Sequence, residues 1–132
     1  MTAQPVFIER AVEAALKSSA AVRALCAGRV YPLVIPKGTK LPAVVYQRMR
    51  GKPDSTLAGY SSEGVDIMVN CFALQFDAAK ELALAVRGAM AAPPLKAVFN
   101  GDRDLLNEKG DVFCTNAEYT VQQSGGYCHD SG

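Results

Sequence analysis

The sequence contains no tryptophan and one histidine, His129, among its 132 residues, and its four cysteines include no C-x-x-C pair. A structural zinc site needs about four well-spaced cysteine or histidine ligands, so this set predicts no metal centre. A cysteine–histidine nucleophile would have to use Cys128 or a C-terminal segment folded back onto the body. Scattered cysteines in apolar segments are typical of buried thiols. We therefore expect no metal, no cofactor and no catalytic cysteine.

An excess of charge of one sign is also missing. Lysine and arginine number 14, aspartate and glutamate 13, and the formal net charge is +1 at pH 7. General attraction to nucleic acid or to anionic lipid requires a larger positive charge, so we expect neither partner. No run approaches the roughly 20 apolar residues of a transmembrane helix, and the N-terminus lacks the basic-then-apolar order of a signal peptide. The sequence predicts a cytoplasmic protein that does not contact a membrane.

The sequence motifs of common enzymes are absent as well. It has no glycine-rich phosphate loop, no G-x-S-x-G, no H-E-x-x-H and no G-x-G-x-x-G after a predicted strand. The charges at residues 102–104 and 108–109 are typical of a solvated hairpin end rather than a metal site. Arg48, Arg50 and Lys52 lack interleaved aromatic residues, which favours a protein contact over nucleic acid. These absences predict a protein that is not an enzyme.

What the sequence does contain is a change from helix to sheet between residues 28 and 50. Gly28 can end a helix, and Pro32 stops a short apolar run that follows it. Upstream, apolar residues at three- and four-residue steps predict a helix over residues 5–17. A second, shorter helix is predicted after Ser18 and Ser19, which are good N-cap residues.

Downstream of this stretch, alternation of apolar and polar residues predicts four strands, and one strongly amphipathic segment predicts a helix. Asn100 and Gly101 are expected to form a bulge or local turn inside the third strand rather than its end. We predict one α+β domain over residues 1–123, with a four-stranded, mainly antiparallel sheet covered on one face by two to three helices. Residues 124–132 show no periodicity and are predicted to be a flexible C-terminal tail. The predicted strands cover residues 44–49, 65–73, 95–106 and 111–123, and the predicted helix covers residues 79–90.

Residues 51–63 form a polar, turn-rich connection between the first two predicted strands. Most hairpins are joined by about two to five residues, and longer loops in small domains are usually functional or disordered. Leu57 and Tyr60 are an aliphatic and an aromatic side chain in this otherwise polar loop, which is typical of interface anchors. The alternative is that they fold back and cover the edge of the sheet.

Taken in chain order, several short segments carry a family resemblance. They are Ala20-Ala21-Val22-Arg23-Ala24-Leu25 leading to Gly28-Arg29-Val30-Tyr31-Pro32, then Leu41-Pro42-Ala43-Val44-Val45-Tyr46, the strand ending Val69-Asn70-Cys71-Phe72-Ala73, and the helix with Ala85-Val86-Arg87. By their order and spacing, the chain closely resembles the tail-completion, or tail-terminator, family of long-tailed bacteriophages and prophages over about residues 8–122.

This resemblance implies a small α+β protein without catalytic activity that assembles as a ring, expected to be a hexamer. Such a ring caps the head-proximal end of the tail tube, ends tube polymerisation and joins the tail to the head. The implied partners are other copies of the chain, the tail tube protein and the head-completion or connector protein. The implied location is the tail neck of the virion, and the host cytoplasm during assembly.

From this resemblance and from the loop composition, we expect two contact regions. One is the loop from residue 50 to residue 63, in contact with the neighbouring subunit or the tube, and the other is the turn around residues 104–109, facing a second partner. The residues predicted to lie at these protein interfaces are Arg50, Lys52, Asp54, Leu57, Tyr60, Asp104, Glu108 and Lys109.

Three alternatives remain open at this stage. The first is another ring-forming neck or tail-tube protein, such as a head-completion protein, which would share the small α+β design. The second is a small enzyme, which would need a concave site with perturbed ionisable groups. The third is a nucleic-acid-binding module, which would bind DNA in a salt-dependent manner.

Overall fold

The computed structural model of the chain describes residues 7–53 and 63–123. Over these residues the protein has three helices and five strands, which confirms the predicted α+β class. The predicted tail, residues 124–132, lies outside the described residues. In chain order the elements are α1 (Ile8–Ser18), α2 (Ala20–Cys26), β1 (Val30–Pro32), β2 (Ala43–Pro53), β3 (Glu63–Ala73), α3 (Phe76–Ala91), β4 (Val98–Leu106) and β5 (Phe113–Gln123).

The strands form one sheet in the order β1-β2-β3-β5-β4, so the sheet has five strands rather than the four predicted. The additional strand is β1, which pairs in parallel with β2, from Val30 opposite Val44 to Pro32 opposite Tyr46. Three residues ending in proline are too short to show a period-two pattern, which is why the sequence indicates only an extended piece there. The other three strand pairs are antiparallel, as predicted.

The first two helices form close to where the apolar pattern and the caps indicate, but α1 begins at Ile8 rather than at residue 5, with Phe7 extended as its N-cap. α1 buries Ile8, Val12 and Leu16 on one side, because residues three and four apart lie on the same helix face. The Ser19 hydroxyl accepts a hydrogen bond from the backbone N–H of Val22 at 3.3 Å and so caps α2. This second helix ends at Cys26, and its left-handed stop is Ala27, with φ of 55°, one residue before the predicted Gly28.

The third helix supplies the largest part of the helical layer. It extends beyond both ends of the predicted helix over residues 79–90, and its buried stripe consists of Ala79, Leu82, Ala83, Val86 and Met90. They pack into one core with the inward side chains of the central strands. Full burial of each large apolar side chain contributes about 1.5–3 kcal/mol relative to leaving it in water. The inward strand residues of this core include Val44, Tyr46, Val65, Ile67, Val69, Cys71, Ala117, Tyr119 and Val121.

Strand boundaries differ from the predicted ones in two places. The third predicted strand begins at Val98 rather than at residue 95, because Lys96 takes a left-handed conformation with φ of 49°. Its bulge is confirmed: the register with β5 shifts between Phe99 and Gly101, and Gly101 has φ of 134°. The predicted loop of residues 51–63 is shorter at both ends, since β2 continues to Pro53 and β3 begins at Glu63.

Because strand side chains alternate, the sheet has two faces of different character. The covered face is the side packed against the three helices. The open face is the other side, on which none of the described helices packs. Residues of the open face include Val45, Gln47, Asp66, Met68, Asn70, Cys114, Asn116, Glu118 and Thr120.

Candidate interaction surface

The predicted contact residues at the β4–β5 turn lie on a well-ordered hairpin tip. Asn107 organises this tip, because its side-chain oxygen accepts hydrogen bonds from the backbone N–H groups of Asp111 and Val112, both at 3.0 Å. The backbone N–H of Gly110 also donates to the Asn107 carbonyl at 2.9 Å. Glu108 and Lys109 are exposed between these anchors, so a rigid turn presents one negative and one positive side chain to solvent.

Asp104, the third predicted residue of this region, lies within β4 and not in the turn. Both of its carboxylate oxygens lie 3.2 Å from Nζ of Lys80 on α3. The hydroxyl of Thr115 on β5 also donates to the carboxylate at 3.1 Å. These contacts tie β4 to the helical layer. About half of the ion pair is exposed, so its own contribution to stability is at most about 1 kcal/mol.

The remaining predicted residues cluster around the β2–β3 connection. Arg50 pairs in register with Asp66, and Lys52 pairs with Gly64, so both belong to the end of β2. Asp54, Leu57 and Tyr60 lie outside the described residues, and the anchor role predicted for Leu57 and Tyr60 stays a prediction.

The structure places the two predicted contact regions at opposite ends of the sheet. Along β5, Thr120 lies opposite Asp66, which faces Arg50, while Thr115 lies opposite Asp104. Thr115 and Thr120 are five positions apart along β5, a distance of roughly 17 Å at about 3.4 Å per residue. No single side chain reaches from one region to the other, so each region makes its own contacts.

The open face carries a chain of neutral polar contacts that sequence reasoning missed. The Asn116 amide donates to the Asn70 side-chain oxygen at 2.6 Å and also contacts the Met68 sulfur. The Cys114 thiol donates to the same Asn70 oxygen at 3.7 Å. Asn116 is 4% exposed although no described helix covers it. A signal was present in the sequence, since Asn70 and Asn116 both occupy polar positions of predicted strands.

A second set of polar contacts on this face joins the bulged strand β4 to β5 and β3. The Thr120 hydroxyl donates to an Asp66 carboxylate oxygen at 3.0 Å. The Asn100 amide, next to the bulge of β4, donates to the same hydroxyl at 2.7 Å. The open face is therefore internally hydrogen-bonded through both neutral and acidic side chains, which suits it for contact with another protein surface.

A cleft of about 480 Å³ lies between α1 and the β1–β2 edge. Glu13 of α1 forms an ion pair with Lys17 at 2.9 Å and a hydrogen bond with the Tyr46 hydroxyl. The hydrogen bond from Lys17 holds the pKa of Glu13 below its usual value. Burial, together with the nearby Glu13 carboxylate, raises the pKa of Tyr46 to about 12. Phe7 and Leu33 form an exposed apolar rim.

The β4 side of the covered face contains a buried hydroxyl with no hydrogen-bond partner among the described residues, that of Tyr119. Its ring packs edge-to-face on Phe99, with ring centres 5.6 Å apart. The Arg87 guanidinium lies 3.8 Å from the centre of the Phe99 ring on the same side. Burial of the phenol raises the pKa of Tyr119, so this hydroxyl stays neutral at physiological pH.

The thiols and charged groups of the described residues offer little chemistry. Cys26, Cys71 and Cys114 are buried and unpaired, and burial raises the pKa of Cys71 and, to about 11, that of Cys114. Within residues 7–53 and 63–123, no group of three or more His, Cys, Asp or Glu side chains could hold a metal ion. Among the described helices, none is long and apolar enough to cross a membrane.

Comparisons with known proteins found one matching family and solved structures of similar fold. A family model described as "Tail completion protein gp17" matches residues 10–119. Among solved structures, a chain of the "Virion of native gene transfer agent (GTA) particle" is similar with a TM-score of 0.66 and 21% sequence identity. The match covers 86% of this chain and 92% of that chain, and shows that the two share a fold. None of the curated proteins matches the chain.

Proposed function

The chain belongs to the tail completion protein gp17 family, and we propose that it caps the head-proximal end of a phage-type tail tube as a ring, ends tube polymerisation and joins the tail to the head. Family membership makes it a structural protein of phage tails, and this is the observation that carries the proposal. The matched region runs from α1 almost to the end of β5, so it includes at least part of every described strand and helix.

Two features of the surface support this role. The contact regions at opposite ends of the sheet allow one copy to contact two different partners, as a protein between tube and head must. The open face offers neutral hydrogen-bonding groups in place of a charged binding groove. We infer that the partners are further copies of the chain in a hexameric ring, together with the tail tube protein and the head-completion or connector protein.

The proposed role involves no catalysis, metal or cofactor. The described thiols are buried with raised pKa values, which disfavours the nucleophilic thiolate.

We place the protein in the tail neck of the virion, and in the host cytoplasm during assembly. Residues 50–63 are proposed to contact the neighbouring subunit or the tube, and the turn around residues 104–109 to contact the other partner.

A head-completion or tail-tube role is the alternative, because these proteins also form rings from small α+β subunits. Copy number separates the possibilities. A terminator contributes one ring to each particle, whereas a tube protein contributes many stacked rings. Quantitative mass spectrometry of purified particles, with the tail tube protein as internal standard, measures this ratio.

Deletion of the gene in the parent phage or prophage tests the proposal directly. We expect negative-stain microscopy to show filled heads beside unattached tails of abnormal or uncontrolled length. A complementing plasmid that carries the intact gene should restore joined particles of normal length. Normal, infectious and fully joined particles from the deletion strain would refute the proposed function.

A further inference from the structure

β1 and β4 are the two outer strands of the sheet, and no strand of the described residues pairs with their outer edges. Four strand spacings of about 4.8 Å place them roughly 19 Å apart on opposite sides of the molecule. Exposed strand edges tend to associate with other chains unless something covers or blunts them. β1 is three residues long and contains a proline, whereas β4 has nine residues, so β4 is the more open edge.

The β1 side carries an exposed apolar patch directly after the strand. Leu33 and Val34 are 70% and 68% exposed, and Phe7 on the far side of the cleft is 64% exposed. Leu33 has φ of 68°, a conformation that leucine rarely adopts. Its backbone N–H donates to the Tyr46 carbonyl at 2.9 Å, which holds this conformation. The backbone at Leu33 is therefore strained while its aliphatic side chain remains in solvent, where it does not contribute to the stability of a single copy.

The charged side chains in the chain segment around β1 are all basic, although Arg48 pairs with Glu9 of α1 at 3.8 Å. Residues 27–49 contain four positive side chains and no aspartate or glutamate, a formal charge of +4. Three of the four are exposed and one is half-buried. The positive residues are Arg29, Lys37, Lys40 and Arg48.

The β4 side has the opposite character. Residues 98–111 contain four acidic and two basic side chains, a formal charge of −2. Asp104 is paired with Lys80, but Asp102 and Glu108 are exposed. Large apolar side chains are exposed here too, with Val98 at 59% and Leu106 at 55%. Each edge therefore combines an apolar patch with charge, and the two charges are opposite in sign.

We propose that the β1 edge of one copy, with Leu33, Val34 and the basic residues around them, packs against the β4 edge of the next copy. This inference rests on the proposed ring and identifies the surfaces that build it. A contact between two different patches of the same chain is head-to-tail, which closes into a ring when the rotation fits. Two β1 edges, or two β4 edges, would bring like charges together, which disfavours a two-fold dimer through either edge. Pro32 lacks a backbone N–H, so side chains rather than a continuous sheet make the contact.

Photo-crosslinking in assembled particles tests which surfaces meet. Leu33 is replaced by p-benzoylphenylalanine in a copy that complements the deletion strain, and purified particles are irradiated. We expect a crosslinked dimer of this chain, with mass spectrometry locating the link between position 33 and residues 98–111. Crosslinks to another protein, crosslinks between two β1 edges, or no crosslink would each overturn the proposal. The deletion phenotype tests the tail-capping role separately, because it does not depend on which edges meet.

Three matched substitutions give a second test that uses the same chemical change. Leu33→Asp and Val98→Asp place a carboxylate on the two proposed edges, and Leu84→Asp places one on the outer side of α3, where Leu84 is 66% exposed. We expect the first two to lower incorporation of the protein into particles at least about 10-fold, and the third to change it less than about 2-fold. Circular dichroism of each purified variant checks that it is folded. Equal incorporation of all three variants would overturn the proposal.

Discussion

The covered and open faces of this sheet are built from alternate residues of the same strands, yet they keep their side chains from water in different ways. The covered face does so with apolar contacts to three helices. The open face has no described helix over it, and Asn116 is still buried because neighbouring polar side chains close around it. The difference suggests that one set of positions serves the fold, while the other is available for assembly.

Removal of a covered-face side chain should have the largest effect. Leu82 of α3 is fully buried, and Leu84, two residues further on, is exposed. We expect Leu82→Ala to lower the free energy of unfolding by about 2–5 kcal/mol, because lost apolar burial and a residual cavity both contribute. The matched control Leu84→Ala should cost less than about 0.5 kcal/mol. Urea denaturation followed by circular dichroism measures both, and similar losses would contradict the assignment of the two helix faces.

The polar network of the open face should give a smaller and non-additive effect. In Asn116→Ala the Asn70 oxygen loses its amide donor at 2.6 Å, and we expect a loss of about 1–2 kcal/mol. In the double variant Asn70→Ala with Asn116→Ala, the total should be smaller than the sum of the single losses, since both singles break one interaction. Additive losses in urea denaturation would mean that the two amides do not depend on each other.

The faces also differ in how well the sequence predicts them. The α3 stripe and the alternating β3 residues follow directly from periodicity, because burial on one side of a regular element repeats along the chain. β1 escaped prediction because three residues are too few to show a period, and its pairing with β2 joins residues about 14 positions apart. The side-chain contacts of the open face depend on the register of β3 against β5, which no local pattern specifies.

The candidate contact residues also divide into those that local sequence predicts and those that only the folded chain brings together. The exposed turn at Glu108 and Lys109 is predictable from local turn chemistry, since Asn107 and Gly110 mark it. The tie from Asp104 to Lys80 joins residues 24 positions apart and becomes visible only in the folded chain. The apolar rim of Phe7 and Leu33 was not predicted either, because one residue precedes α1 and the other follows β1.

Two tyrosines of the covered face allow the finest comparison, because both are buried but their hydroxyl groups differ in hydrogen bonding. Tyr46 hydrogen-bonds with Glu13, whereas the Tyr119 hydroxyl has no partner among the described residues. We expect Tyr119→Phe to raise the free energy of unfolding by about 1 kcal/mol, since it removes a buried polar group that makes no hydrogen bond. Tyr46→Phe should lower it by about 1 kcal/mol, because the Glu13 carboxylate loses a donor. Urea denaturation at neutral pH compares the two variants with the unmodified protein, and a loss of stability in Tyr119→Phe would show that this hydroxyl is bonded after all.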